Sequence, residues 1–245
     1  MSAPVLLVTG GSRGIGAATA KLAARKGYDV ALSYVRDQQG AEKVAAEIRS
    51  TGRRAAAIQA DVGIEADITR LFAEADAQLG TLDVLVVNSG VNGKPYRLAD
   101  APSAQIREVI DVNVTGAMLC AREGVRRMST RLGGKGGSIV LLSSRATEYG
   151  SPGEFVWYAA SKAAINAFCV GLSREVGREG IRVNAVSPGP IDTDMLDAKR
   201  RATVNEVVPM GRIGTPEEVG EAVLFLASSA ASYCTGANIS VSGGR

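Results

Sequence analysis

Short apolar runs alternate with longer stretches of helical period along the whole chain. Residues 4–8, 29–35, 55–60, 82–87, 138–142, 181–186 and 238–241 read as strands. Helices are expected from the glycine-rich turn to about residue 26, then over 39–51, 65–79, 102 to about 131, 155–168, and from a cap at Thr215 to about 230. The run 82–87 is apolar at nearly every position, as a strand covered on both faces should be. Strand and helix alternating in this way imply an α/β fold: one doubly wound domain over 1–245, a seven-stranded parallel sheet with helices on both faces. The stretch 194–208 is polar and mixed, and the region of about 190–212 is expected to form a mobile lid over the substrate.

Composition narrows the function. Of 245 residues 46% are hydrophobic and only 4% aromatic, so the interior is built from Ala, Val, Leu and Ile. A chain of this size buries a large core without staples. No apolar run approaches the roughly 18 residues a membrane helix needs, and the N-terminus lacks the pattern of a signal peptide. A cytoplasmic protein is expected. Cys120, Cys169 and Cys234 are few and far apart, against a disulfide framework or a zinc site. Histidine is absent, which excludes histidine triads and histidine metal sites; no metal is expected. The net charge of +3 is scattered, so no nucleic-acid partner is expected.

The first strand runs at once into Thr9-Gly10-Gly11-Ser12-Arg13-Gly14-Ile15-Gly16 and then an Ala-rich helix. Strand, glycine turn and helix form the setting of a dinucleotide site. Gly10 permits the turn, Gly14 lets backbone approach a pyrophosphate, and Gly16 lets the helix sit close on the sheet, with its free N–H groups aimed at the phosphates. The second strand ends Ser33-Tyr34-Val35-Arg36, without the carboxylate that an NAD site places there; Asp37 reads as the next helix's N-cap. Arg36 and Arg13 suit a 2′-phosphate, so NADP is the expected cofactor. Asp61 after the third strand either accepts from an adenine amino group or caps the residues beyond it. Asn88-Ser89-Gly90 lets a cofactor pass close to the fourth strand's end.

Tyr158 and Lys162 stand four apart in an Ala-rich helix, on one face. A free phenol has a pKa of about 10, and a neighbouring ammonium favours its anion, so the pair reads as a proton donor tuned toward working pH. Asn113 lies in the long helix at 102–131, where a buried amide needs partners. Ser143 and Ser144 end the fifth strand at the same sheet edge as Gly10 and Asn88.

Together these residues resemble the short-chain dehydrogenase/reductase family nearly end to end. The turn 9–16, including Ser12 and Ile15, resembles the family's cofactor motif in its Rossmann fold; Asp61-Val62 resembles its adenine-contacting pair and Asn88-Ser89-Gly90 its fourth-strand motif. Val87 and Ser89 depart from the commonest residues there. Asn113, Ser144, Tyr158 and Lys162 fall where the catalytic tetrad belongs, and a slightly long loop before Tyr158 leaves Ser143 as the alternative hydroxyl. Pro188, Gly189, Ile191 and Thr193 resemble the segment that touches the nicotinamide carboxamide. The resemblance implies that NADPH delivers a hydride to a carbonyl carbon while Tyr158 protonates the forming alkoxide. It implies that Ser144 holds the substrate oxygen, that Lys162 assists Tyr158 and holds the nicotinamide ribose, and that Asn113 orders a relay water. It also implies a homotetramer acting on a small-molecule carbonyl or alcohol. The pattern is similar to 3-oxoacyl carrier-protein reductases, and to sugar (glucose) dehydrogenases and general carbonyl reductases. Glu148, Tyr149, Glu154, Phe155, Trp157, Met195, Leu196 and Met210 are expected on the substrate side, with Lys199, Arg200 and Arg201 available as a basic patch for a carrier protein.

Overall fold

The computed structural model describes residues 3–196 and 198–245, with the side chains of 198–200 and 205 outside the description. The chain opens with β1 (Val5–Val8), α1 (Gly14–Arg25), β2 (Asp29–Tyr34), α2 (Gln38–Ser50), β3 (Ala55–Gln59), α3 (Glu65–Leu79) and β4 (Leu82–Val87). It continues through α4 (Ser103–Ile110), α5 (Ala117–Met128), β5 (Gly137–Leu142), a short α6 (Ala146–Tyr149), α7 (Val156–Val176), β6 (Ile181–Pro188), α8 (Ala198–Val207), α9 (Pro216–Ala227) and β7 (Asn238–Val241). Among the described residues the seven strands pair in parallel in the order β3-β2-β1-β4-β5-β6-β7. The order reverses at β1, which lies between β2 and β4, and a doubly wound sheet opens a ligand crevice outside the strand ends at that point.

Alternate side chains on each strand serve two cores. Leu6, Val8, Val30, Leu32, Val86 and Val140 meet α1, α2 and α9 on one face. Leu7, Leu85, Ile139, Leu141 and Val183 meet α3, α5 and α7 on the other. Each fully buried Leu or Ile contributes about 1.5–3 kcal/mol relative to exposure, so both faces hold the sheet flat against its helices and leave its edge to carry chemistry. α9 lies directly on α1 because Gly220 has no side chain: a Cβ there would stand 2.7 Å from Leu22. Its start is fixed by a capping box, in which Thr215 Oγ1 accepts from Glu218 N and Glu218 Oε2 accepts from Thr215 N at 2.8 Å.

Two stretches differ from expectation in ways that bear on function. The single helix expected over 102–131 is divided: α4 passes into a π-helical turn, Asp111–Gly116, before α5, and ends with a 3-10 turn at Thr130–Leu132. The wide turn is pinned from outside. Gly116 lies so close to β3's outgoing loop that a Cβ would stand 2.2 Å from the Val62 carbonyl, and Asn113 is bonded to Val91. The polar stretch expected as a lid contains α8; Asp197 lies outside the described residues.

Candidate active site

At the ends of β1 and β4, Thr9 and Asn88 lock the glycine turn. Thr9 Oγ1 accepts from both Asn88 N and Ser89 N at 3.0 Å, and Asn88 Nδ2 donates to the carbonyls of Thr9 at 2.9 Å and Gly10 at 3.0 Å. Gly10 N donates to Ser33 Oγ at 3.0 Å. Gly10 and Gly14 have φ of 68° and 55°, a region that favours glycine, and a Cβ on Gly16 would stand 2.2 Å from Gly10 O. α1 then begins with no side-chain cap: Arg13 is extended and makes no capping bond, so the first-turn N–H groups face the crevice without a side-chain partner. Ser12 and Ile15 are half-buried beside it.

The other cofactor-side residues are spread around this turn. Arg13 and Arg36 are exposed, and Arg13 reaches Asp194 at 3.3 Å. The Tyr34 ring is buried in the apolar core with α1 and α2. Asp61 Oδ1 accepts from Gly63 N at 2.9 Å, and Val62 is buried. Pro188 O accepts from Arg145 N, Gly189 N donates to Val241 O, Ile191 is buried, and Thr193 lies against Gly14.

The second half of the site lies where α7 meets β5. Lys162 is buried, and its ammonium donates to Leu142 O at 2.7 Å. It lies 5.9 Å from the centre of the Tyr158 ring. Loss of solvation pulls its pKa down to about 8, with no carboxylate nearby to restore it. Ser143 and Ser144, alternatives in the sequence, separate here. Ser143 Oγ donates to Lys162 O at 3.1 Å, whereas Ser144 Oγ accepts from Ala146 N at 3.1 Å and keeps its own proton for another acceptor. Gly90 lines this corner: a Cβ there would stand 3.2 Å from both Asn113 Oδ1 and Lys162 Nζ. Asn113 is buried and committed. Its Oδ1 accepts from Val91 N at 2.8 Å, and its Nδ2 donates to Val91 O at 2.8 Å and to Ser161 Oγ at 3.0 Å.

Neither Val91 nor Ser161 is marked by the sequence, and Thr9 is marked only as part of the glycine turn. A small polar residue at an inward position of an apolar helix is the one local signal Ser161 offers. Of the residues expected on the substrate side, Tyr149, Met195 and Met210 are exposed. Phe155 and Trp157 form an edge-on pair within a small cluster around Val109, against which Tyr158 packs, and Trp157 Nε1 donates to Asn92 O at 3.0 Å. Of the basic trio, the side chains of Lys199 and Arg200 lie outside the described residues, and Arg201 is bonded to Asp192 and to the carbonyls of Thr193 and Leu196.

A strand-end glycine turn beside Ser144, Tyr158 and Lys162 points to an oxidoreductase class, and comparison with known proteins gives the family. The family model described as enoyl-(acyl carrier protein) reductase matches residues 10–245. An uncharacterized oxidoreductase of Escherichia coli, YgfF, is 44% identical over 98% of this chain and 99% of its own. Cis-4-hydroxycyclohexanecarboxylate dehydrogenase of Sinomonas cyclohexanicum is 40% identical, over 98% and 95%. Among solved structures, a short chain dehydrogenase from Burkholderia cenocepacia in complex with NADP superposes with a TM-score of 0.93 at 34% identity, covering 99% of this chain and 98% of that one. A 3-ketoacyl-(acyl-carrier-protein) reductase from Brucella melitensis complexed with NADH gives 0.92 at 32% identity, covering 100% and 98%. The chain belongs to the short-chain dehydrogenase/reductase family and is an oxidoreductase with a Rossmann fold. Among its described residues no helix is long and apolar enough to cross a membrane.

Proposed function

We propose that this protein is an NADP(H)-dependent oxidoreductase that moves a hydride between the nicotinamide and a carbonyl or secondary alcohol, with 3-oxoacyl thioesters as its substrate class. The observation that carries this reading is the buried Lys162 ammonium, which lies one helical turn from Tyr158 and is held by Leu142 O, two residues before Ser144. The glycine turn fits a dinucleotide: its helix has no side-chain cap, and Gly16 lets the helix start close on the turn, where a Cβ would meet the Gly10 carbonyl at 2.2 Å. Gly10, Ser12, Gly14, Ile15 and Gly16 would hold the pyrophosphate. Arg13 in the glycine turn and Arg36, beyond the Tyr34 strand tip, would hold a 2′-phosphate. Asp61, Val62, Asn88 and Gly90 would border the adenosine half, and Pro188, Gly189, Ile191 and Thr193 the carboxamide.

A nicotinamide bound there supplies the hydride. In reduction Tyr158 gives its phenolic proton to the substrate oxygen; in oxidation it takes that proton back. Ser144 donates a hydrogen bond to the same oxygen, the donor role its Ala146 contact leaves open. The Lys162 cation favours negative charge on the phenol and would bond the ribose hydroxyls. Because both amide hydrogens of Asn113 are committed, it would order a relay water as an acceptor, through Oδ1 or its backbone carbonyl.

A second reading is favoured by Arg201, which is exposed but whose guanidinium is already bonded to the Asp192 carboxylate and to the carbonyls of Thr193 and Leu196, so that less of its charge is left for a carrier protein. In that reading the substrate is a small alcohol or carbonyl, as for a sugar (glucose) 1-dehydrogenase or a general carbonyl reductase. Exposed Met118 on α5 and Val170 on α7 support self-association as a homotetramer, which sedimentation tests, and we place the enzyme in the cytoplasm. A panel of 3-oxoacyl thioesters, ketones and aldoses, each run with NADPH and NADH, decides between the readings. Tyr158→Phe should lose about 10²- to 10⁴-fold in turnover while still binding NADPH. Turnover near wild type in that variant, or a higher kcat/KM with NADH, removes the corresponding part of the reading.

A further inference from the structure

Ser161 is buried in α7, between Tyr158 and Lys162, and takes no part in the chemistry of the proposed reaction. Its hydroxyl has one proton, which it donates to the Tyr158 carbonyl at 2.7 Å. With that proton committed it meets Asn113 as an acceptor, taking an N–H from Nδ2 at 3.0 Å. Asn113 is itself clasped by both backbone groups of Val91, just past Gly90 at the end of β4. A continuous chain of bonds therefore runs from the β4 edge through Asn113 and Ser161 to the backbone of Tyr158. On the other side, α7 is tied to β5 by Lys162 Nζ on Leu142 O and Ser143 Oγ on Lys162 O. The reactive turn is thus held from two strands, and Ser161 is the link on the β4 side, where Gly90 separates Asn113 Oδ1 from Lys162 Nζ.

We propose that Ser161 is a positioning residue, which sets the height of the Tyr158 phenol relative to the β4 edge by tying its carbonyl to Asn113. The proposal rests on the oxidoreductase reading. It differs from a plain helix-stabilising role, and α7 contains the comparison needed. Ser173 is also buried and also donates to the carbonyl three residues before it, that of Val170, at 2.9 Å. Ser173→Ala removes the same kind of bond far from Tyr158.

Ser161→Ala should lower kcat about tenfold, since a small misplacement of a reacting group is costly, while KM for NADPH stays near its wild-type value. Proton transfer should become more rate-limiting, so the solvent deuterium isotope effect on kcat should rise. Ser161→Thr, which keeps the hydroxyl, should restore most of the rate, and Ser173→Ala should leave both kcat and isotope effect unchanged. If Ser161→Ala does not fold, Ser161→Cys, with a similar shape and a weak donor, takes its place. An unchanged kcat and isotope effect in the Ser161 variants overturns the proposal, and so does an equal loss in Ser173→Ala. Should no carbonyl of the panel support NADPH oxidation by the wild type, the proposed reaction falls and the tether is judged by crystallography: a shift of the Tyr158 backbone from Asn113 in Ser161→Ala supports it, and unmoved coordinates overturn it.

Discussion

At the β5–α7 junction Lys162, Ser143, Ser161 and Asn113 are buried and bonded to neutral partners. In the segment 190–212 Asp192, Asp194, Arg201 and Arg212 are exposed and bonded largely to opposite charges. Removing one member of the first set strands a desolvated polar group, at a cost of about 1–3 kcal/mol. An exposed ion pair of the second kind is worth about 0.2–1 kcal/mol and is screened by salt. Under the proposed function the first is the fixed wall that proton transfer needs, and the second is a wall that yields to admit substrate.

Lys162→Met tests the fixed wall most severely. It should cost about 10²- to 10⁴-fold in kcat/KM, because the phenol loses its cationic neighbour. The pH dependence carries a sharper signature. The folded Lys162 titrates at about 8, below its ordinary 10.5, so between those values the unfolded chain holds the extra proton and stability rises with pH. Below about pH 8 both states are protonated and the full cost of burying the charge is present, on the order of 3 kcal/mol. Carbonyl reduction should fall above about pH 8 as the ammonium is lost, while thermal stability rises over the same window. Lys162→Met should abolish the stability rise and melt higher than wild type at pH 7. Melting curves that respond to pH 8–10 identically in both proteins would count against the assignment.

Gly90→Ala should act less strongly. The new Cβ would stand 3.2 Å from Asn113 Oδ1 and Lys162 Nζ. Oδ1 is held by Val91 N and Nζ by Leu142 O, and the longer lysine side chain is the one displaced, at the expense of its bond to Leu142 O. A fall of about three- to tenfold in kcat is expected, with the nucleotide Kd changing less, because the shift is a few tenths of an ångström at the reacting end. A large change in Kd with unchanged kcat would place Gly90 on the binding side alone.

The same contrast explains which features were legible in the sequence. α3 at Glu65–Leu79, β4 at Leu82–Val87 and β7 at Asn238–Val241 occupy the expected residues, because apolar period and a stop glycine are local signals. The π-turn was not legible, since its causes are the Val62 carbonyl against Gly116 and the Val91 backbone against Asn113, both remote along the chain. Ser161 was silent for the same reason: its partner Asn113 is 48 residues away. Tyr158, Lys162 and the glycine turn carry a spacing that can be read, whereas the choice between Ser143 and Ser144 depends on which hydroxyl finds Lys162 O. Trp157 and Phe155 join Val109 in a cluster that packs on Tyr158 and that no local pattern announces.

The smallest expected effect belongs to the yielding wall. Arg201 holds α8 to the segment before it, through the Asp192 carboxylate and the carbonyls of Thr193 at 3.0 Å and Leu196 at 3.1 Å. The same segment touches the glycine turn at Thr193 on Gly14 and Asp194 on Arg13, so loosening it should weaken substrate capture and leave chemistry alone. Because Arg201 and Asp192 are exposed, the contact is worth at most about 1 kcal/mol, and Arg201→Ala should raise KM for the carbonyl by no more than about fivefold, with kcat nearly unchanged. The gap should narrow in about 1 M salt, where the screening length falls to about 3 Å. A salt-independent loss in kcat would mean that the lid belongs with the fixed wall and that the division between the two is wrong.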